Sequence, residues 1–320
     1  MKMFRKLHLY LLFIFMLSTY ANAQEYSVAI FDFDIREKNK QSIAKYIEQQ
    51  LLDTKLSFKK IRHYSGQNSE IKSLRILKKL EKSKFDLIIT ITSDAMVPAT
   101  HTLKKTPWLF TNINNPSFFG IRDILNPGYN KSGVTYYVPV VKQIEFFNEL
   151  LGKKLLKLGL IFDYHAKSRR AELVEFRDAA LQLDIKYSIK LIKSMNEMSS
   201  AAKELLSEGV DAIIITSSGK LYNNIHQILD ITNKKKIPIF SVNKNGVANG
   251  ALSAIASDYY KMVDENLIPM AIEVLKNKKK AGNMPVQYLK KPYIYLNLSQ
   301  AKILGLKISD KIINRASKKY

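Results

Sequence analysis

Ser132-Gly133-Val134-Thr135-Tyr136-Tyr137-Val138-Pro139 is a short β-branched and aromatic run, opened by a glycine, closed by a proline and followed by an amphipathic pattern from Val140 to Leu151. A chain leaves one domain and enters the next through such a segment. Comparable alternations of apolar strand and amphipathic helix lie on both sides of it. The stretch therefore reads as a crossover between two similar α/β lobes, with a cleft beside it.

Working outward toward the N-terminus, residues 26–31 (Tyr-Ser-Val-Ala-Ile-Phe) form a near-continuous apolar run that suits a strand buried on both faces of a parallel sheet. A helix is expected over 39–53, with Ile43, Ile47 and Leu51 at helical spacing, then a strand over 57–61 and a helix carrying Ile71, Leu74, Leu77 and Leu80 on one face. Residues 86–91 and 107–111 read as buried strands, the second leaving into the polar loop 112–116. Beyond the crossover the pattern recurs, with strands over 158–162, 185–191, 212–216 and 238–242 separated by helices over 165–183, 198–207 and 220–232. Alternation at this pace gives right-handed βαβ units and a parallel sheet in each half.

The run 250–256, a helix over 258–275 and a strand over 293–297 are too few for a third domain, so they cross back and over again. The expected fold is α/β: two doubly wound parallel-sheet lobes joined by crossing hinge strands. Residues 24–137 plus 257–287 are assigned to one lobe and 138–256 plus 288–320 to the other. Such a hinge lets lobes close while each stays rigid.

The 320 residues are 46% hydrophobic and 25% charged, a globular composition with enough apolar residues for two cores. The first 23 differ: Lys2, Arg5 and Lys6 precede an apolar run over 7–17, and Ala21-Asn22-Ala23 offers the small residues at which a signal peptidase cuts. A signal peptide cleaved after Ala23 is expected, because the apolar run is shorter than the roughly 20 residues a spanning helix needs. No cysteine occurs, which removes disulfides, a thiol nucleophile, thiolate metal sites and lipidation at the cleavage point. An exported chain that neither spans the membrane nor carries a lipid is expected in the periplasm. The formal charge is +23, yet the basic runs Lys234-Lys235-Lys236, Lys278-Lys279-Lys280 and Lys318-Lys319 fall at expected helix ends and at the terminus. Positive charge spread this way, with no single stripe, argues against a nucleic-acid partner.

Ligands of open α/β sheets bind beyond the carboxyl ends of the strands. That places Asp32 and Asp34, Thr92 and Ser93, and Asn114 and Asn115 at the tips of the first half. Asp163 and Tyr164, Thr216, Ser217 and Ser218, and Asn243 occupy the same positions in the second. These side chains suit holding a polar solute without cleaving it. By type, Thr92, Ser93, Ser217 and Ser218 also suit helix caps, and Asn114-Asn115-Pro116 also suits a turn. Tyr136 and Tyr137 alternate faces in a strand, so one is expected in the core and one at the cleft. Trp108 reads as packing.

The sequence contains no G-x-S-x-G, H-E-x-x-H, G-x-x-x-x-G-K or G-x-G-x-x-G. His63, His101, His165 and His226 are dispersed without metal-ligand spacing. Phe31-Asp32-Phe33-Asp34 looks like the aspartate pair of haloacid-dehalogenase-type phosphatases, and Thr216 with Lys220 could mimic later parts of that pattern. Against it, Arg36 stands where the pattern wants Thr or Val, and no later acidic pair sits at a strand end to hold magnesium. The expectation is a protein that is not an enzyme and uses no cofactor or metal.

Ser132-Gly-Val-Thr135 with Pro139 and its apolar helix, Lys157-Leu-Gly-Leu-Ile-Phe-Asp163, Gly250-Ala251, Asp258-Tyr259-Tyr260, and the segment from Leu275-Lys276 through Met284-Pro285-Val286 follow one another in a recognisable order. In this the chain resembles the periplasmic substrate-binding proteins of ABC transporters with the type I two-lobe fold, specifically the family of the tryptophan- and tyrosine-binding components. The likeness spans essentially everything after residue 23. Three positions depart from it: Asn115 replaces an acidic residue before Pro116, the usual Asn is not kept at Asp163-Tyr164, and Asp264 stands where glycine is frequent. The resemblance implies a small-molecule ligand trapped between lobes, an aromatic or other amino acid, with Phe33, Tyr136 and Tyr164 as stacking surfaces. It also implies a monomer whose closed form docks on a membrane permease, or alternatively signals to a membrane sensor.

Overall fold

A computed structural model of the chain describes residues 24–34, 42–166, 168–289 and 291–320. The expected signal peptide, Arg36 and the start of the 39–53 helix lie outside the described residues. The first sheet is built from β1 (Glu25–Asp32), β2 (Ser57–Ser65), β3 (Leu87–Ile91), β4 (Trp108–Ile113) and β5 (Lys131–Thr135). They are ordered β2-β1-β3-β4-β5, with every pairing parallel. β1 and β3 read as unbroken apolar runs because both sheet faces are covered. Val28 and Ile30 of β1 join Leu87, Ile89 and Ile91 of β3 in one core, while Ala29 and Phe31 join Ile88 in another. Helix Ile43–Leu52 covers the first face with Ala44, Ile47 and Leu51; helix Glu70–Lys82 covers the second with Leu77 and Leu80. Ile71, expected on that apolar stripe, is 65% exposed, and Ser73 is buried instead. Its hydroxyl tolerates burial because it donates to the Ser69 carbonyl at 2.8 Å.

The second sheet contains β6 (Lys157–Asp163), β7 (Lys186–Ile192), β8 (Ala212–Ile215), β9 (Ile239–Ser241), β10 (Ser253–Ala256), β11 (Tyr293–Leu296) and β12 (Lys318–Lys319). Its order is β12-β11-β10-β9-β8-β6-β7, and β10 pairs with β11 antiparallel. The segment β7-β6-β8-β9-β10 repeats the winding of the first sheet, so each half has its topological switch point beside its first strand. The expected helix over 220–232 is two helices, Gly219–Asn223 and His226–Lys234.

The decisive stretch behaves differently from its pattern in one respect. Gly133 lies inside β5 instead of opening it, and the strand ends at Thr135, before the tyrosines. Thr135 closes the ladder: its hydroxyl is within donor reach of the Ile113 and Asn114 carbonyls, 2.9 and 2.8 Å away, and accepts the Tyr137 amide at 3.0 Å. The chain passes between the sheets three times, after β5, after β10 and before β11. Residues between the last two passages, Met262 to Leu289, bury apolar side chains in the first sheet's core, whereas Ile294 to Ile312 do so in the second's. Among the described residues no helix is long and apolar enough to cross a membrane.

Candidate functional site

The carboxyl ends of the two sheets face one another across a cavity of 310 Å³. From the first sheet come Thr92, Ser93 and Asp94 after β3, Asn112 at the end of β4 and Tyr136 in the first crossing. From the second come Ser168 beyond β6, Ser217 and Ser218 after β8, Tyr222, and Asn243 after β9, while Tyr259 enters from the second crossing. A larger cavity, 490 Å³, lies against the crossing segments between Tyr137, Phe146 and Tyr288, but no residue following β3, β6, β8 or β9 lines it. The strand-tip cavity is the candidate site, because there the polar groups of both sheets converge.

The expected residues divide. Thr92, Ser93, Tyr136, Ser217, Ser218 and Asn243 line the cavity. Asn114 lines a smaller chamber beside it. Asp163 is buried behind the wall, where it accepts the Ser218 hydroxyl at 2.9 Å and the His165 amide at 2.9 Å. Thr216 is also buried and donates its hydroxyl to the Ile161 carbonyl at 2.9 Å. Asn115 makes the turn its sequence suggests, accepting the Ser117 amide at 3.0 Å. Phe33 packs against the first sheet's core and Asp34 gives its backbone amide to Asp32 at 3.2 Å; the residues lining the cavity include neither. Tyr164 is 43% exposed with the Arg169 guanidinium 4.7 Å over its ring, away from the cleft. Asp32, the would-be phosphatase aspartate, is buried, and that burial pushes its carboxyl up to about 6.

Capping is not what the hydroxyls do. Ser93 accepts the Asn114 amide at 3.2 Å and Ser218 is committed to Asp163, while Thr92 and Ser218 make no side-chain cap bond. Thr92 has φ 80° and ψ 155°, a region that glycine alone occupies comfortably, and its buried hydroxyl has no partner. Strain held at a cavity wall has a testable consequence. Thr92→Gly should stabilise the unliganded protein by about 1 kcal/mol in urea unfolding, since relief of the β-branched clash exceeds glycine's entropy cost. Lost stability would show that Thr92 is not strained.

Sequence reasoning missed the groups that hold the two sides together. Glu172, on helix Arg169–Leu183, is buried; it accepts the Asn114 side-chain amide at 3.0 Å and the Ser217 backbone amide at 3.1 Å. Three residues on, Glu175 accepts the Asn115 side-chain amide at 2.7 Å. Burial raises both carboxyls, Glu172 to about 7 and Glu175 to about 8. A signal was present: Glu172, Phe176 and Ala179 share one helical face, and a carboxylate on a core stripe is unusual. Tyr222 and Tyr259 were also missed. With Tyr136, whose ring lies 5.4 Å from that of Tyr259, they form an aromatic wall of hydroxyls kept neutral by burial.

Two similarly wound lobes with a hydroxyl-, amide- and tyrosine-lined cleft at their switch points are the type I periplasmic binding fold. The sequence model described as ABC transporter substrate binding protein matches residues 28–320, and the chain belongs to that family. A tyrosine-binding protein of Clostridioides difficile (strain R20291) is 26% identical over 248 residues, covering 77% of this chain and 71% of that protein. Two solved structures share the fold. One is an ABC domain in complex with L-Trp from Streptococcus pneumoniae, with TM-score 0.73 and 20% identity over 92% of this chain and 100% of that one. The other is a ligand-free, open substrate-binding protein with adhesive properties from Clostridium difficile, with TM-score 0.73 and 20% identity over 92% and 98% of the two chains.

Proposed function

We propose that the chain captures an amino acid, with an aromatic one as first choice, between its two lobes and presents it to the membrane permease of an ABC importer. In this reading it acts in the periplasm as a monomer, without cofactor or catalysis, and 24–137 plus 257–287 close against 138–256 plus 288–320. The observation that carries the reading is the strand-tip cavity. Its walls come from both sheets, it offers hydroxyls and amides for a polar backbone, and Tyr136, Tyr222 and Tyr259 form a face for a ring. The names of the relatives, a tyrosine-binding protein and a complex with L-Trp, support the same class of solute. Thermal unfolding with L-tyrosine, L-tryptophan and L-leucine tests it. A ligand at 100 times its Kd adds about 2.7 kcal/mol, so an upward shift on the order of 5 °C is expected from at least one aromatic amino acid. No shift from any of the three would reject the amino-acid assignment.

A further inference from the structure

Beside the cleft, and sharing the walls Tyr136, Ser217 and Val242 with it, is a chamber of only 20 Å³, room for one water-sized group. Glu172, Glu175 and Gln143 line it, and no lysine or arginine does. Gln143 is 6% exposed, and its Nε2 donates to the Val138 carbonyl at 2.8 Å, which fixes the amide orientation. Its Oε1 is therefore an acceptor, and it is buried with no partner. Asn114 offers nothing further, since its Nδ2 serves Glu172 and its Oδ1 accepts the Asn115 amide. The chamber thus gathers two carboxylates, which Asn114, Asn115 and the Ser217 amide serve with one neutral hydrogen bond apiece, and the Gln143 amide oxygen, which has no donor, and no cation balances them.

Resting on the reading of the cleft as a solute site, we propose that this chamber is the seat of a primary ammonium group carried by the bound solute. An ammonium presents three N–H donors on one water-sized head, matching the three acceptor side chains. A guanidinium spreads five donors over a plane too broad for the space, and a calcium or magnesium ion needs about six oxygens at once. Two adjacent carboxyls removed from water favour taking up a positive charge, in line with their raised affinity for protons. The titratable groups around them are the tyrosines 136, 137, 222 and 259 and Asp178, and none is cationic near neutral pH. An ammonium therefore competes with protons for this seat, and binding should tighten as pH rises from 6 to 8.5.

Calorimetry on the unmodified protein tests the seat with L-tyrosine, tyramine and 3-(4-hydroxyphenyl)propionate, alongside the non-aromatic amines L-leucine, L-lysine and 1,5-diaminopentane. Tyramine should bind and the deaminated acid should bind at least about 100-fold more weakly than L-tyrosine, as expected for an unpaired buried carboxylate pair. Tyramine affinity should rise about tenfold between pH 6 and 8. Glu172→Gln should shrink that rise to the part the remaining Glu175 carboxyl contributes, and Gln143→Leu, which leaves both carboxyls in place, should weaken amine binding about tenfold. If the deaminated acid binds as well as L-tyrosine at every pH, the seat is wrong and the aromatic site stands. If only a non-aromatic amine binds, and Glu172→Gln or Gln143→Leu weakens it, the seat stands and the aromatic assignment falls. Stabilisation by sodium chloride over choline chloride at equal ionic strength, lost in Glu172→Gln, would assign the chamber to an alkali ion and overturn the proposal, as would no binding by any amine.

Discussion

Bridging Asn115→Cys to Glu175→Cys with a short bis-thiol reagent, after L-tyrosine has bound, should slow its release on the order of 100-fold relative to the same variant left unbridged. Asn115 follows β4 of the first sheet and Glu175 lies on the helix after β6 of the second, and their side chains meet at 2.7 Å. Parting of the two sheets at their tips, the exit this account assigns to the solute, breaks that contact. The chain has no cysteine of its own, so the reagent can join only the two introduced thiols. Comparing bridged with unbridged protein also cancels the loss of the Glu175 carboxylate. Release followed with labelled L-tyrosine at an unchanged rate would mean that this contact is not on the exit route.

The second large effect concerns the stretch that decides the fold. Gly133→Ala should cost about 3 kcal/mol in urea unfolding, at the upper end of ordinary overpacking. A Cβ there would lie 2.1 Å from the Phe110 carbonyl oxygen and 2.6 Å from its amide nitrogen. These are backbone atoms of the neighbouring strand and cannot turn aside as a side chain can. Gly219→Ala is the control: nothing lies within 4 Å of its added methyl, and the change should stay within about 0.5 kcal/mol. Equal stabilities for the two variants would show that the approach of β4 to β5 is looser than described.

The strands were legible because burial on both faces leaves nearly uninterrupted apolar runs, as in Leu-Ile-Ile-Thr-Ile of β3 and Ala-Ile-Ile-Ile of β8. The passage between sheets was legible from its glycine, β-branched residues and proline, although Gly133 answers to the closeness of Phe110 and not to a strand start. Side-chain direction at the strand tips was not legible. Thr92 and Asn112 both take positive φ, which turns the chain in ways that no alternation rule anticipates. Tyr136 and Tyr137 escape alternation because Thr135 ends the ladder before them, and both line cavities. Tyr164 was expected to stack on a solute, but one residue past β6 the chain turns and its ring meets Arg169. Glu172 stood out as a carboxylate on a core stripe, but what it and Glu175 hold was not legible, since their partners Asn114, Asn115 and Ser217 lie 45 to 60 positions away.

A crystal structure grown with L-tyrosine tests the central claim most directly. The account predicts the amino acid in the strand-tip cavity, between Thr92 and Ser93 on one side and Ser217 and Ser218 on the other, with its ammonium beside Glu172. An amino acid lodged instead against Phe146 and Tyr288 in the hinge-side cavity, with the strand tips untouched, would contradict it.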